Sequence, residues 1–172
     1  MDTLVYKGKT YTRQREKWAE PSGMIACESI QADLNKEYAK QLDPARLSPD
    51  DCIAHGDKFK RSGSMGLALK FYEEAEKQAD RETMAFLLPR LTSCYRETDQ
   101  PQKAIDILSY ASKNFGQDML NPVLLTSVAA AYCDMGDYSR AKKCCDRAYA
   151  MSNGNANSEL SLVYRRVKKA LE

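Results

Sequence analysis

The chain has 172 residues, 43% of them hydrophobic, and its 26 lysines and arginines nearly balance 24 aspartates and glutamates, for a formal charge of +2. That length suits one domain with a small appendage, and the apolar content supports a packed core. The charge balance gives no case for a nucleic-acid or membrane-surface protein, and no apolar run approaches the roughly eighteen residues of a membrane span.

The N-terminal segment, residues 1–45, is predicted to hold a short hairpin, an irregular stretch and one helix. Leu4-Val5-Tyr6-Lys7-Gly8-Lys9-Thr10-Tyr11-Thr12 reads as a small β-hairpin with glycine in its turn. Alone it would be marginal, so it is expected to dock on helices. Residues 13–25, with Pro21 and Gly23, read as irregular. A helix is predicted from Ala26 to Leu42, with Cys27, Ile30, Leu34, Tyr38 and Leu42 as its apolar stripe, ended by Asp43-Pro44. It would cover the exposed flank of whatever follows.

From residue 46 onward the sequence repeats. Ala75, Ala111 and Ala148 fall 36 and 37 residues apart. Seven residues before each stands another alanine: Ala68, Ala104 and Ala141. Nine residues before those is an aromatic: Phe59, Tyr95 and Tyr132. Three residues earlier again is a small residue: Gly56, Thr92 and Ala129. In the last copy Leu125, Val128, Ala129 and Tyr132 share one helical face, and Tyr138, Ala141, Cys145 and Ala148 another. Met135-Gly136-Asp137 lies between them, a glycine to reverse the chain and an aspartate to cap. The unit is an antiparallel helix hairpin whose small residues allow close approach. Ser48-Pro49 and Asn121-Pro122 read as helix starts, and Asp99-x-x-Gln102 as a capping-box variant opening the second helix of the middle unit. Pro89 falls inside the span of the middle unit's first helix, which should kink or start late. Asn157 is the expected cap of a last helix, 157–171, with Leu160, Val163, Val167, Ala170 and Leu171 on one side and Arg165, Arg166, Lys168 and Lys169 on the other.

These landmarks resemble the tetratricopeptide repeat, W-x2-L-G-x2-Y followed by A-x3-F, an alanine and a proline. The units are 49–82, 85–118 and 122–155, matched by Gly56, Phe59, Ala68, Tyr72 and Ala75; by Leu88, Leu91, Tyr95, Ala104, Leu108 and Ala111; and by Leu125, Val128, Ala129, Tyr132, Gly136, Tyr138, Ala141 and Ala148. The tryptophan position holds Cys52, Leu88 and Leu125, His55 stands where leucine is usual, and the closing prolines are missing. The resemblance implies an all-α fold, a right-handed α-α superhelix of helix hairpins, with the N-terminal β-hairpin as an addition. It also implies a non-catalytic protein–protein interaction scaffold or adaptor that holds a peptide or partner protein in a concave groove lined by the first helices. The matching groove positions include Asp57, Lys60, Phe86, Arg90, Ser93, Arg96, Val123, Ser127 and Ala130. A family variant clamps the carboxylate tail of chaperones with basic and amide residues. The corresponding positions here hold Ile53, Asp57, Arg90, Val123 and Ser127, which disfavours that role.

Little else points to chemistry. Cys52-x-x-His55 is a pair of ligand types without the two further ligands zinc needs, and both fall on core positions. Cys144-Cys145 reads as packing. One histidine and no phosphate-cradling glycine loop give no enzyme reading, and no cofactor or metal is expected. The alternative function is nucleic-acid association through Lys7, Lys9, Tyr11, Arg13 and Arg15, where basic residues interleave with aromatics. Six cysteines without a Cys-x-x-Cys pair suit a reduced compartment. The first residues, Met1 to Lys7, lack the plan of a secretory signal, so the expected location is cytoplasmic. The expected partner is a protein or extended peptide, with nucleic acid unlikely and no membrane, and the chain is expected as monomer or homodimer.

Overall fold

The computed structural model describes residues 2–172. The chain divides into two compact units, residues 1–78 and 79–172. The first helix hairpin therefore groups with the N-terminal segment, and the boundary falls after that hairpin rather than ahead of it.

The first unit opens with an antiparallel sheet of β1 (Thr3–Tyr6), β2 (Lys9–Gln14) and β3 (Lys17–Ala19), in that order. Lys7 and Gly8, both at positive φ, make the two-residue turn that suits the twist of a hairpin. Alternation sends Leu4, Tyr11, Arg13 and Trp18 inward. The expected irregular stretch 13–25 is thus partly strand. β2 runs on to Gln14, a tight turn follows with Arg15 at φ 55°, and Trp18 pairs opposite Arg13. That turn contains no glycine, so the sequence carries no punctuation for it. Pro21 and Gly23 do mark a turn, after which Ile25 bridges back to Ala19.

Helix α1 (Glu28–Gln41) buries Leu34 and Tyr38 as its stripe requires, and also Asn35. Cys27 is not part of the stripe. It is the exposed N-cap, its thiol lowered by the Ser29 hydroxyl and by backbone N–H groups. Asn35 explains the docking. Its Oδ1 accepts from Trp18 Nε1 at 2.9 Å and Arg13 Nη2 at 3.3 Å, and its Nδ2 donates to Ser62 Oγ and Ser64 Oγ, each at 3.0 Å. One amide thus joins the sheet and α1 to the turn of the first hairpin, α2 (Pro49–Arg61) and α3 (Met65–Glu76). Around it the rings of Trp18, Tyr38, Phe59 and Phe71 form a chain of aromatic contacts. Each fully buried ring of this kind contributes about 2–3 kcal/mol.

The second unit holds α4 (Arg81–Glu97), α5 (Pro101–Phe115), α6 (Pro122–Asp134), α7 (Tyr138–Met151) and α8 (Ser158–Leu171). Ser48, Asn121, Asp137 and Asn157 each accept a backbone N–H three residues on, as N-caps. Helix α4 starts a turn earlier than expected because Asp80 caps Thr83, and it runs unbroken through Pro89. Burial of Leu87, Leu88 and Leu91 on both sides of that proline holds it together.

The three hairpin turns are built alike. The N–H of Ser64, Gln100 and Asp137 reaches back to the carbonyl of Phe59, Tyr95 and Tyr132 at 2.9, 2.7 and 2.9 Å, the bond of a Schellman turn. The left-handed residue is Gly63, Asp99 and Gly136. Asp99 is therefore not the cap of α5, whose N-cap is Gln100 with no side-chain bond. It fills the position glycine takes in the other two turns.

Close approach within the first hairpin is visible at Gly56, where an added methyl would lie 2.7 Å from Tyr72 Cδ1. Gly56→Ala is expected to destabilise the first unit by about 1–3 kcal/mol through overpacking, measured by urea unfolding. Full stability in that variant would mean the ring is not fixed there.

His55 stacks between Tyr38 and Phe71 with Nδ1 buried and unpartnered. Burial first, then the Lys58 charge, lowers its pKa below the ordinary 6.5. The unfolded chain therefore takes up the proton first on acidification. Stability should fall as pH drops below about 6.5 and keep falling until the folded pKa is passed. His55→Leu should remove that loss in thermal melts between pH 7.5 and 5.5, and an unchanged pH profile would argue against it.

Candidate functional site

The expected groove residues separate on burial and bonding. On the first unit, Asp57 accepts the Tyr72 hydroxyl at 2.5 Å and Lys60 is half-buried. On the second, Ser127 and Ala130 do not face a groove at all. Ala130 is 2% exposed and belongs to the core cluster of Leu125, Ala129, Cys133, Leu160, Val163 and Val167, and Ser127 is buried beside it on α6. Helix α6 is buried on nearly every side because α8 packs against it as well as α4, α5 and α7.

Arg96 is also engaged. Its Nε donates to Asp134 Oδ2 at 2.7 Å, while Arg166 Nη2 donates to Oδ1 at 2.9 Å. Burial works against the Asp134 carboxylate, but its bonds to the two guanidiniums win and hold its pKa below the usual carboxylate range. One carboxylate thus ties α4, α6 and α8. Ser93 Oγ donates to Glu97 Oε1 at 3.0 Å. Asp134→Ala should cost about 1–2 kcal/mol of stability, less than a fully buried pair because the group is partly solvated. Thermal unfolding checks this, and a cost near zero would show the two arginines need no partner.

What remains open is one end of α4 and α6. Phe86 is 62% exposed and Val123 47% exposed. With Ala85, Pro89, Arg90, Asn121 and Pro122 they line a cleft of about 430 Å³. Each member has a local reason to be there. Phe86 and Val123 point away from the buried leucines of their own helices. Arg90 lies over the preceding turn, its Nη1 donating to the Phe86 carbonyl at 2.8 Å. Asn121 is held by capping Leu124 at 2.9 Å. Pro89 has no N–H to give the Ala85 carbonyl, so that acceptor lacks its helical partner.

The basic-aromatic segment does not form a stacking platform. Tyr11 and Trp18 are buried and Arg13 is 6% exposed, its guanidinium 5.2 Å from the Trp18 ring, 5.5 Å from Tyr38 and 5.9 Å from Phe59. Burial lowers its pKa. Lys7 lies over the Tyr6 ring, Lys9 pairs with Glu20 at 3.6 Å, and Arg15 is an exposed turn residue. The cations left outside have no exposed aromatic from Tyr11 or Trp18 beside them.

Cys52 and His55 do not meet as a ligand pair. The Cys52 thiol donates to the Pro44 carbonyl at 3.4 Å while His55 stacks on rings. Burial, then the neighbouring Cys133 and Cys144 thiols, pushes Cys145 up to about 12, so it packs as a small hydrophobe. Among the described residues no group of three or more His, Cys, Asp or Glu is arranged to hold a metal ion, and no helix is long and apolar enough to cross a membrane.

No family model and no curated protein matches the chain by sequence. Solved structures do match by shape, and they define its class. PcrH from Pseudomonas aeruginosa is 16% identical, with a TM-score of 0.58 over 72% of this chain and 92% of that one. MamA is 19% identical, with a TM-score of 0.56 over 84% of this chain and 86% of that one. A second MamA structure is 18% identical, with the same TM-score over 84% of this chain and 77% of that one. At these identities the likeness speaks to fold. The chain has a tetratricopeptide-type helical-repeat fold carrying a small three-stranded N-terminal sheet.

Proposed function

We propose that the chain is a non-catalytic protein-interaction scaffold whose contact surface on the second unit is the Phe86–Val123 cleft. The observation that carries this reading is the pairing of an exposed phenylalanine and an exposed valine on neighbouring first helices, in a fold where such helices carry partner contacts. An exposed aromatic in a partly enclosed cleft is the usual anchor of a protein interface. The partner would be an extended peptide or a loop that places an apolar side chain between Phe86 and Val123. Burial of Ser127 and Ala130 confines the contact to this end of α4 and α6, in place of a groove running the length of both.

Peptides selected from a random displayed library on the full chain should share an apolar anchor residue. Their affinity should fall by about 2 kcal/mol against Phe86→Ala and further against Val123→Glu, with helicity unchanged by circular dichroism. Selected peptides that bind both variants as tightly as the original would sink the cleft as the contact surface.

A further inference from the structure

The N-terminal sheet has one closed edge and one open edge. Beyond β3, Ile25 bridges Ala19, and the N–H groups of Glu20 and Ala26 bond to the carbonyls of Met24 and Trp18, which closes that side. Among the described residues β1 pairs only with β2. The two-residue turn makes Tyr6 and Lys9 a hydrogen-bonded pair, and the Arg13 N–H to the Asp2 carbonyl, at 2.8 Å, fixes the same alternation at the far end. The N–H and C=O of Thr3 and Val5 therefore point away from β2, along the free edge. Val5 is exposed beside them. Of the usual blocking devices this strand has only its short length of four residues. It carries no proline, bulge or inward charge.

A cleft of about 320 Å³ adjoins this edge. β1 alone of the strands lines it, through Tyr6, facing Asp33, Lys36, Glu37 and Lys40 of α1 and Lys70 of α3. The two acids are engaged. Tyr6 donates to Asp33 at 2.8 Å and Lys40 to Glu37 at 2.6 Å. Lys36 and Lys70 have no hydrogen-bond or ion-pair partner among the described residues, and Lys7 lies over the Tyr6 ring at the turn. The Tyr6 hydroxyl leaves Asp33 its charge, so with Glu37 paired to Lys40 one carboxylate stands against Lys36 and Lys70, and the net charge of the cleft is positive.

We propose that the open edge of β1 takes up an added strand from an acidic partner, an extended peptide whose inward-facing carboxylates enter the cleft toward Lys36 and Lys70. The backbone groups of Thr3 and Val5 supply strand pairing, which does not depend on sequence, and the lysines supply the choice of acidic side chains. This surface is separate from the Phe86–Val123 cleft and stands or falls without it.

The test uses the full chain and a short peptide rich in threonine and valine with glutamates at alternate positions, beside its glutamine counterpart. Titration calorimetry should show the glutamate peptide binding about tenfold tighter than the glutamine one, a preference that shrinks with added salt. The amides of Thr3 and Val5 should gain protection from hydrogen exchange when it binds. Lys70→Glu should erase the preference. Val5→Pro should abolish binding of both peptides, since it removes an edge N–H the ladder does not use; circular dichroism and melting checks show whether each variant remains folded. Absence of binding, equal binding of the two peptides, or retained preference in Lys70→Glu would overturn the proposal. So would a dimer seen by sedimentation without peptide and lost in Val5→Pro, because the edge would then serve a second copy of the chain.

Discussion

A helix hairpin of this kind cannot bury both sides of its own helices, and a flank left bare needs something built against it. In the first unit that need falls on Phe59, Phe71 and His55, and the N-terminal segment answers it. Helix α1 supplies Leu34 and Tyr38, but one helix leaves the flank only partly covered, and the sheet closes it with Arg13 and Trp18. The arrangement has a cost. Arg13 is buried with Nε and Nη1 unpartnered, and its Asp2 carboxylate is 3.9 Å away. A buried charge so thinly paired would ordinarily be destabilising. Three aromatic faces and the Asn35 amide offset that here, since a guanidinium is weakly hydrated and stacks well on rings. Ion pairs from Arg61 to Glu16 at 2.8 Å and Lys58 to Asp2 at 3.6 Å add a solvated rim.

In the second unit the last flank is covered by α8. Counting along its stripe from Leu160, the position that holds Gly56, Thr92 and Ala129 in the three hairpins is taken by Tyr164. Its ring meets Tyr149 edge-on, and its hydroxyl donates to Asp146 at 2.8 Å. A bulky ring there departs from the small residues that permit close approach in the hairpins, and α8 packs on α6 and α7 with that ring at Tyr149. The Asp134 bridge adds direction to this packing, because α8 must lie where Arg166 can share a carboxylate with Arg96. The same docking packs α8 residues into the core cluster that holds Ala130.

The hairpins were legible in the sequence because the signal and the cause coincide. Small residues three before an aromatic are what close helix approach requires, and Gly56 against Tyr72 shows the contact directly. Asp99 misled because aspartate serves two local ends, capping a helix start and tolerating the left-handed conformation, and only the backbone decides between them. Cys27 misled because a stripe drawn by spacing does not say where the helix begins. Within the candidate site, Phe86 and Val123 could be read from repeat position, since their exposure depends on their own helices. Ser127 and Ala130 could not, because their burial depends on what packs around α6, which for Ala130 includes α8, a helix outside the repeat pattern. Tyr11 and Arg13 were ambiguous for a related reason. Alternation gives each strand two faces, and which one is inward depends on a third strand and on an asparagine that resembles an ordinary polar helix residue.

Two kinds of unsatisfied surface are left, and they ask for different things from a partner. The cleft at Phe86 and Val123 exposes apolar side chains. Burying the phenylalanine alone is worth about 2 kcal/mol, but an apolar contact is non-directional, and the selectivity must come from the shape of the proline-lined walls. The edge of β1 exposes directional groups, the N–H and C=O of Thr3 and Val5, whose pairing holds a strand in register while saying nothing of its side chains. There the selectivity must come from charge, and Lys36 and Lys70 are placed to provide it. Backbone pairing at a four-residue strand is weak by itself, and solvated lysines are screened by salt. A partner held at this edge would therefore be held reversibly, and only where both contributions act on one extended segment.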